Sequence, residues 1–181
     1  FGAVIALREA NFSFEGPKVC GLVGANGSGK TTFARLCAGL VKKDAGEFVI
    51  DGQKATINSP GDARNYGIVL AHQNLSLIPD LTVWENISLG NERRTQSIFL
   101  NNKHAKDVAT EILNDLVDGE IPIDAKVATL SPAQKQMVEI AKALSKDPKM
   151  LILDEPTAAL EYNHVEQLFK KVEEFIASAG K

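Results

Sequence analysis

The chain has 181 residues, of which 44% are hydrophobic and 24% charged. This composition is enough for a packed core and excludes an intrinsically disordered chain. Its 20 basic and 23 acidic side chains give a formal net charge of -3, so overall charge offers no reason to expect nucleic-acid binding. No apolar run is long enough to span a bilayer. The two cysteines, Cys20 and Cys37, are too few for a disulfide framework and are predicted to be small buried side chains.

The first half of the chain contains four segments with clear patterns. The apolar residues 18–23 predict a buried strand, and residues 31–40 predict a helix that ends near Gly39. Two short runs flank Asp51-Gly52 and predict a β-hairpin. Residues 67–71 predict a second buried strand.

The second half is mainly helical. Residues 81–144 show helical spacing, and residues 150–153 predict a third buried strand. A final helix is predicted to bury one face made of Val165, Leu168, Phe169, Val172 and Ile176. Strands and helices alternate at both ends, so we expect an α/β core with parallel strands, interrupted by a helical subdomain. The predicted core comprises 1–74 and 146–181, and the predicted subdomain comprises 75–145.

The strongest motif lies between the first predicted strand and the helix that follows it. Residues 24–32 match the phosphate-binding pattern G-x-x-x-x-G-K-[ST]. Glycines allow successive N–H groups to point into one concavity, and a helix N-terminus attracts phosphate oxygens. Lys30 can approach the β- and γ-phosphates, and the Thr31 hydroxyl can coordinate Mg²⁺. The predicted phosphate-binding residues are Gly24, Ala25, Asn26, Gly27, Ser28, Gly29, Lys30, Thr31 and Thr32.

A pair of carboxylates, Asp154 and Glu155, follows the strand predicted at 150–153. In open α/β sheets, ligands bind at the carboxyl ends of the strands. Asp154 is suited to hold Mg²⁺, directly or through a water, and Glu155 is suited to act as a general base on an attacking water. The alternative interpretation is an acidic loop that caps the next helix.

The segment Ser131-Pro132-Ala133-Gln134 precedes a predicted helix. Ser131 and Gln134 have the spacing of a capping box, and proline is common at the first helical position. The same helix N-terminus could instead receive a γ-phosphate. The local sequence does not decide between these interpretations.

With these residues in place, the whole chain resembles an ABC-type ATPase cassette. It is most similar to the carbohydrate-uptake branch, of ribose and galactose type, and to the first of the two cassettes in those ATPases. The stretches that carry this resemblance are 67–75, 81–87, 136–145 and 153–160, together with the loop at 24–32. The resemblance implies a P-loop NTPase core with a mostly parallel sheet, a small antiparallel hairpin region and an inserted helical subdomain.

The resemblance also implies a role for particular residues. Gln73 matches the Q-loop glutamine, which contacts Mg²⁺ or the attacking water, and Phe1 matches the aromatic residue that stacks on adenine. Asp154 and Glu155 match the Walker B aspartate and the catalytic glutamate. The signature, which acts on the ATP of the opposite cassette, corresponds to Ser131, Pro132, Ala133 and Gln134.

Three departures from the family pattern affect these expectations. Pro132 and Ala133 stand where the usual signature has two glycines, and Pro132 has no N–H to donate. Glu161 stands where the loop at the dimer interface usually has Asp. The switch histidine of the family is expected beyond Lys181, and the sequence opens without Met. We therefore expect a piece of a longer chain, with weak or no ATP hydrolysis by itself.

The implied function is an ATPase that binds ATP with Mg²⁺ and powers import of a sugar. Its expected partners are a second ATP-binding cassette, transmembrane permease subunits and, indirectly, a solute-binding protein, with no nucleic acid. Its expected location is the inner face of the cell membrane, as a cytoplasmic peripheral subunit. One alternative is a soluble ABC ATPase that acts on nucleic acid or ribosomes, which the lack of a basic stripe disfavours. Another is a regulatory cassette without hydrolysis, which Glu155 disfavours.

Overall fold

The computed structural model describes residues 5–71, 75–90, 102–117, 121–157, 160 and 162–179. The elements in chain order are α1 (Lys30–Cys37), β1 (Phe48–Ile50), β2 (Gln53–Ala55), α2 (Pro60–Asn65), β3 (Ile68–Ala71), α3 (Val83–Ser88), α4 (Asn102–Val117), a 3₁₀ turn (Val127–Thr129), α5 (Pro132–Leu144), β4 (Met150–Leu153) and α6 (Tyr162–Ala179). Of the helices in this described part, none combines the length and the hydropathy that crossing a bilayer would require.

The hairpin forms where the sequence predicts it. Strands β1 and β2 pair antiparallel, with Ile50 opposite Gln53. The two turn residues between them, Asp51 and Gly52, have φ values of 51° and 75°. Two consecutive left-handed residues are the geometry that a two-residue hairpin turn requires, and Asp-Gly adopts it readily. Local turn chemistry is therefore sufficient to determine this element.

Strands β3 and β4 pair in parallel, from Ile68 opposite Met150 to Ala71 opposite Leu153. All four residues of β3 are buried, as predicted. The prediction of a buried β4 is wrong, because all four of its residues are only half-buried. One edge of β4 pairs with β3, while its residues also line an open cleft.

The strand predicted at residues 18–23 is absent. These residues are exposed and carry no regular structure, and Val19 and Val23 are 64% and 93% exposed. A buried strand needs a ladder partner and cover on both faces. Residues 18–22 instead border the cleft that β4 also lines. They therefore have neither a ladder partner nor cover on both faces. Apolar composition alone was not enough to form a strand here.

The core is densest in the helical region. Helices α3, α4 and α5 pack on one another, and α5 also packs on β3. Fully buried side chains from these helices include Val83, Ile87, Ala109, Leu113, Leu116, Met137, Val138 and Ile140. Helical spacing predicts an apolar face on α5 formed by residues 137, 140, 141 and 144, of which all but Leu144 are buried. Of the face predicted on α4, formed by residues 105, 108, 109, 112 and 116, Ala109 and Leu116 are buried and the others are half-buried.

Helix α6 contacts α4 through a narrower stripe than predicted. Leu168 is buried and Val172 packs against the core, but Phe169 is 57% exposed. Adjacent residues of an α-helix lie about 100° apart around its axis, so Phe169 falls beside the contact with α4. The prediction that Phe169 is buried is therefore wrong.

The two cysteines have different environments. Cys37 is buried at the end of α1, and this burial raises the pKa of its thiol to about 11. Cys20 is exposed within residues 18–23, so the prediction that it is buried is wrong. Its burial depended on the strand that does not form.

Candidate functional site

Helix α1 lies on the sheet because its inward side chains are small. Ala34 and Ala38 are buried against Leu70 of β3, and Ile152 of β4 packs on the same cluster. Small residues permit close approach of the helix to the sheet. The packing places the N-terminus of α1 at the carboxyl ends of β3 and β4, where the predicted acidic pair begins.

The loop before α1 is shaped by its glycines. The Ser28 N–H donates to the Ala25 carbonyl at 3.1 Å and closes a turn. Gly29 caps α1 with a φ of 96°, and no side chain caps this helix end. A Cβ on Gly29 would lie 2.6 Å from Leu7 and 2.8 Å from the Ala6 carbonyl. Glycine is therefore required here, and the first N–H groups of α1 have no side-chain cap.

Lys30 and Thr31, in the first turn of α1, donate hydrogen bonds to different partners. Lys30 donates from Nζ to the carbonyls of Gly24 at 2.7 Å and Ala25 at 2.9 Å, so its ammonium lies against the loop. Thr31 donates from Oγ1 to Oδ1 of Asp154 at 3.2 Å. The structure thus brings together two predicted site residues that lie 123 positions apart.

The hydroxyl of Thr31 and the carboxylate of Asp154 suit a magnesium ion chemically. Both supply hard oxygen atoms, the ligands that Mg²⁺ prefers, and two protein oxygens are a usual number for a magnesium that also binds phosphates and water. Gln73, the other predicted metal ligand, lies outside the described residues, as does Phe1.

Lys30, Asp154 and Glu155 line one cleft, whose volume is about 730 Å³. Phe12 and Phe33 line it too, with ring centroids 4.0 Å apart. Neither aromatic side chain is among the site residues predicted from the sequence. Residues 131–134 do not contribute to this lining.

Glu155 has an unusual backbone conformation. Its φ is 50°, in the left-handed region that side chains with a Cβ rarely adopt. Such a residue carries strain on the order of 1–3 kcal/mol, and it persists only where the surroundings impose it. The chain therefore turns sharply right after Asp154, at the end of β4.

The start of α5 is a complete capping box. Ser131 accepts a hydrogen bond from the Gln134 N–H at 3.2 Å, and the Gln134 side chain accepts one from the Ser131 N–H at 3.0 Å. Pro132 occupies the first turn. The capping interpretation is confirmed, and the action of these residues on a second cassette stays a prediction.

Two buried charged side chains were not identified from the sequence. Glu139 and Lys142 of α5 are 2% and 9% exposed. The apolar spacing of α5 predicted only one buried face, whereas every residue from 136 to 143 is buried. Burial on all sides comes from packing against α3, α4 and β3, which the periodicity of one segment does not reveal.

Comparison with known proteins identifies the family and the fold. The sequence model described as "ABC transporter" matches residues 7–158. The chain belongs to the ABC transporter family. Its predicted fold class, a P-loop core with parallel strands, a hairpin and a helical insertion, is confirmed by solved ATP-binding cassettes.

Several curated members of the ABC transporter family named "Ribose import ATP-binding protein RbsA" are similar to the chain. The relative from Corynebacterium glutamicum is 39% identical over 174 residues, which cover 96% of this chain and 33% of the relative. A relative from Rhizobium etli, named RbsA 2, is 40% identical and is covered to 35%. The chain thus spans about a third of their length. The predicted resemblance to the carbohydrate-uptake branch is confirmed.

Two solved members of the ABC transporter family have similar folds. The dimeric cassette MJ0796, bound to ADP and phosphate, gives a TM-score of 0.73 at 28% identity, with 87% of this chain and 68% of that chain covered. The cassette MJ1267 in its ADP conformation gives 0.69 at 30% identity, with 87% and 65% covered.

Proposed function

We propose that this chain binds ATP with Mg²⁺ at the phosphate loop and Asp154, at the carboxyl end of β4, and that the full protein hydrolyses the ATP to power sugar import. The observation that carries the proposal is the hydrogen bond from Thr31 to Asp154. It joins the start of the phosphate-loop helix to the end of a core strand, where phosphoryl-transfer sites need both a hydroxyl and a carboxylate. The names of the relatives support ATP binding and import.

In this proposal, the triphosphate lies against residues 24–32. The N–H groups at the start of α1 bind phosphate oxygens, and the ammonium of Lys30 exchanges its loop carbonyls for β- and γ-phosphate oxygens. Thr31 and Asp154, with Gln73, hold the magnesium ion, which neutralises phosphate charge when bound. The proposed stacking of adenine on Phe1 rests on the family resemblance.

Glu155 is the proposed general base. Its carboxylate would accept a proton from the water that attacks the γ-phosphate, while Gln73 helps to orient that water. Its place directly after Asp154 and in the lining of the same cleft supports this role. The strained backbone supports it as well, because such strain clusters at active sites.

A second cassette is the proposed partner of the α5 N-terminus. The Ser131 hydroxyl accepts a hydrogen bond in the cap and can still donate its own proton, and the Ala133 N–H can also donate. Both donors could contact the γ-phosphate held by the opposite cassette, with Gln134 beside them. Pro132 has no N–H to contribute. The dimeric MJ0796 cassette supports this arrangement.

The remaining proposed partners are transmembrane permease subunits and, indirectly, a solute-binding protein that delivers the sugar. The proposed location is the inner face of the membrane, as a peripheral protein. The names of the ribose-import relatives support this assignment. We also propose the division into a core of 1–74 and 146–181 and a helical subdomain of 75–145.

Calorimetry of the folded chain with Mg-ATP and Mg-ADP tests nucleotide binding. We expect saturable binding by the wild type and its loss in Lys30→Ala, because the ammonium is the one mobile charge of the loop motif. Lys103→Ala, at an exposed position of α4, is the matched control and should bind as the wild type does. Folded wild-type protein that shows no nucleotide affinity would refute the proposal.

A further inference from the structure

Two buried charged side chains join α5 to the segment that follows Gln73 in the sequence. Glu139 accepts hydrogen bonds from the Ser76 N–H at 3.1 Å and from its hydroxyl at 2.8 Å. Lys142 donates from Nζ to the Ser76 carbonyl at 2.9 Å and to its hydroxyl oxygen at 3.1 Å. One serine is thus held through three groups by two charged side chains from a single helix.

The rest of this segment is attached without the charges of α5, through Asn86 and through backbone hydrogen bonds from residues 127–128. Asn86 of α3 is 0% exposed, accepts from the Ile78 N–H at 2.7 Å, and donates to the carbonyls of Ile78 and Thr82 at 3.0 Å. The neutral Asn86 amide therefore fixes residues 78–82 to α3. Only the beginning of the segment, at Ser76, depends on the charges of α5.

Stability alone does not account for two charges at this place. Removing a carboxylate and an ammonium from water is costly, and well-packed apolar residues in such positions are often as stabilising or more so. Ser76 itself is exposed, so its polar groups could be hydrated without help from α5. The charges do provide a directional attachment that apolar packing cannot supply.

The attachment lies between two residues with predicted roles at the nucleotide sites, Gln73 and Ser131. Ser76 lies three residues after Gln73, and three residues of extended chain span at most about 10 Å. Glu139 lies eight residues after Ser131, which is about 12 Å along the axis of α5. The cluster therefore lies at most about 10 Å along the chain from the predicted glutamine of one nucleotide site and about 12 Å along α5 from the predicted serine that acts on the other.

We propose that Glu139 and Lys142 are positioning residues that fix the segment after Gln73 to α5, so that this segment and the Ser131 end of α5 move as one unit during ATP turnover. The proposal rests on the proposed ATPase function. Neither side chain contacts nucleotide; both act through Ser76. Loss of the attachment should slow turnover and leave nucleotide affinity in place, because residues 24–32 and Asp154 are not altered.

The test uses Lys142→Met, Glu139→Gln and Ser76→Ala in the full natural protein that contains this chain. We expect kcat to fall at least about tenfold in Lys142→Met and Glu139→Gln, and by about threefold in Ser76→Ala, which keeps the N–H and carbonyl contacts of Ser76. KM and the calorimetric Kd for Mg-ATP should stay within about twofold in all three variants. Amide hydrogen exchange should accelerate in residues 75–78 and stay unchanged in 136–143. Glu111→Gln, at an exposed position of α4, is the matched control and should behave as the wild type does.

The outcomes separate the two proposals. Wild-type turnover in Lys142→Met and Glu139→Gln would overturn the positioning role and leave the ATPase proposal intact. Equal losses of kcat and nucleotide affinity would also overturn it, because they indicate general disruption. Ser76→Ala changes an exposed residue, so it gives a result even if the other two variants do not fold, and wild-type turnover in it would then overturn the positioning role. Absence of turnover in the wild type would refute both proposals together.

Discussion

The helical region (α3 to α5) and the nucleotide end (residues 20–31, with Asp154 and Glu155) differ in how their polar groups are satisfied. In the helical region, Asn86 and Glu139 are almost fully buried, and their hydrogen bonds stay within the protein. At the nucleotide end, residues 20–28 are exposed, no side chain caps α1, and Glu155 has a strained backbone. Stability therefore resides mainly in the helices, while the phosphate loop keeps its N–H groups available to a ligand.

The largest expected effect concerns Glu155 at the nucleotide end. Glu155→Gln in the full natural protein should lower the rate of hydrolysis by about 10²–10⁴-fold, because the amide cannot accept the proton from water. Nucleotide binding should be retained. Single-turnover hydrolysis with calorimetry in parallel measures both quantities, and Glu166→Gln, exposed on α6, is the control. Unchanged hydrolysis would remove Glu155 from the base role.

A pair of leucine truncations tests where the stability lies. Leu113→Ala in α4, where the side chain is 1% exposed, should lower the free energy of unfolding by about 2–5 kcal/mol. Leu22→Ala, at 40% exposure beside the cleft, should change it by less than about 1 kcal/mol. Urea unfolding of the two variants measures the difference. Similar losses would mean that residues 18–23 pack more firmly than their exposure indicates.

A smaller effect is expected at the hydroxyl of Thr31. In Thr31→Val, the gain in ATP affinity that Mg²⁺ provides should fall by about tenfold, equivalent to about 1.4 kcal/mol, because one oxygen ligand is lost. Thr31→Ser keeps the hydroxyl and should retain the effect. Titrations of nucleotide with and without Mg²⁺ give the ratio. An undiminished magnesium effect in Thr31→Val would exclude Thr31 as a ligand.

The smallest expected effect concerns the cap of α3. Thr82 and Glu85 form a capping box, and the hydrogen bonds from the Thr82 hydroxyl and N–H lower the pKa of Glu85 below its ordinary value. This contribution is present above the ordinary glutamate pKa and is lost as pH falls through the lowered folded-state pKa.

Thr82→Ala should therefore lower the free energy of unfolding at neutral pH by about 1 kcal/mol. It should also flatten the loss of stability on acidification in that pH window. Urea unfolding between neutral and acidic pH measures both, with Thr56→Ala, at an exposed position, as the control. A pH dependence identical to that of the wild type would contradict the role of Glu85.

The elements that the sequence predicted well are those with local causes. The hairpin follows from Asp51-Gly52, and the start of α5 follows from Ser131 and Gln134, whose interactions span three residues. Burial was predicted less well, at residues 18–23 and at Phe169, because it depends on which distant segment covers a side chain. Periodicity measured within one segment contains no information about that cover.

The candidate site shows the same division. The phosphate loop was evident from residues 24–32, because its chemistry lies in consecutive residues. The pairing of Thr31 with Asp154 spans most of the chain and was predicted only through strand-end rules and family resemblance. The left-handed backbone of Glu155 and the buried charge of Glu139 had no sequence signal, because tertiary packing imposes both.

The two cysteines supply a native pair of chemical reporters for the nucleotide end of the chain. Cys20 is solvent-accessible beside the cleft, whereas Cys37 is buried at the end of the phosphate-loop helix, where burial raises the pKa of its thiol to about 11. Because thiolate is the reactive species, an alkylating reagent at neutral pH should modify Cys37 only when its side chain becomes exposed. Mass spectrometry of the labelled protein can therefore time the exposure of this helix end without any introduced probe.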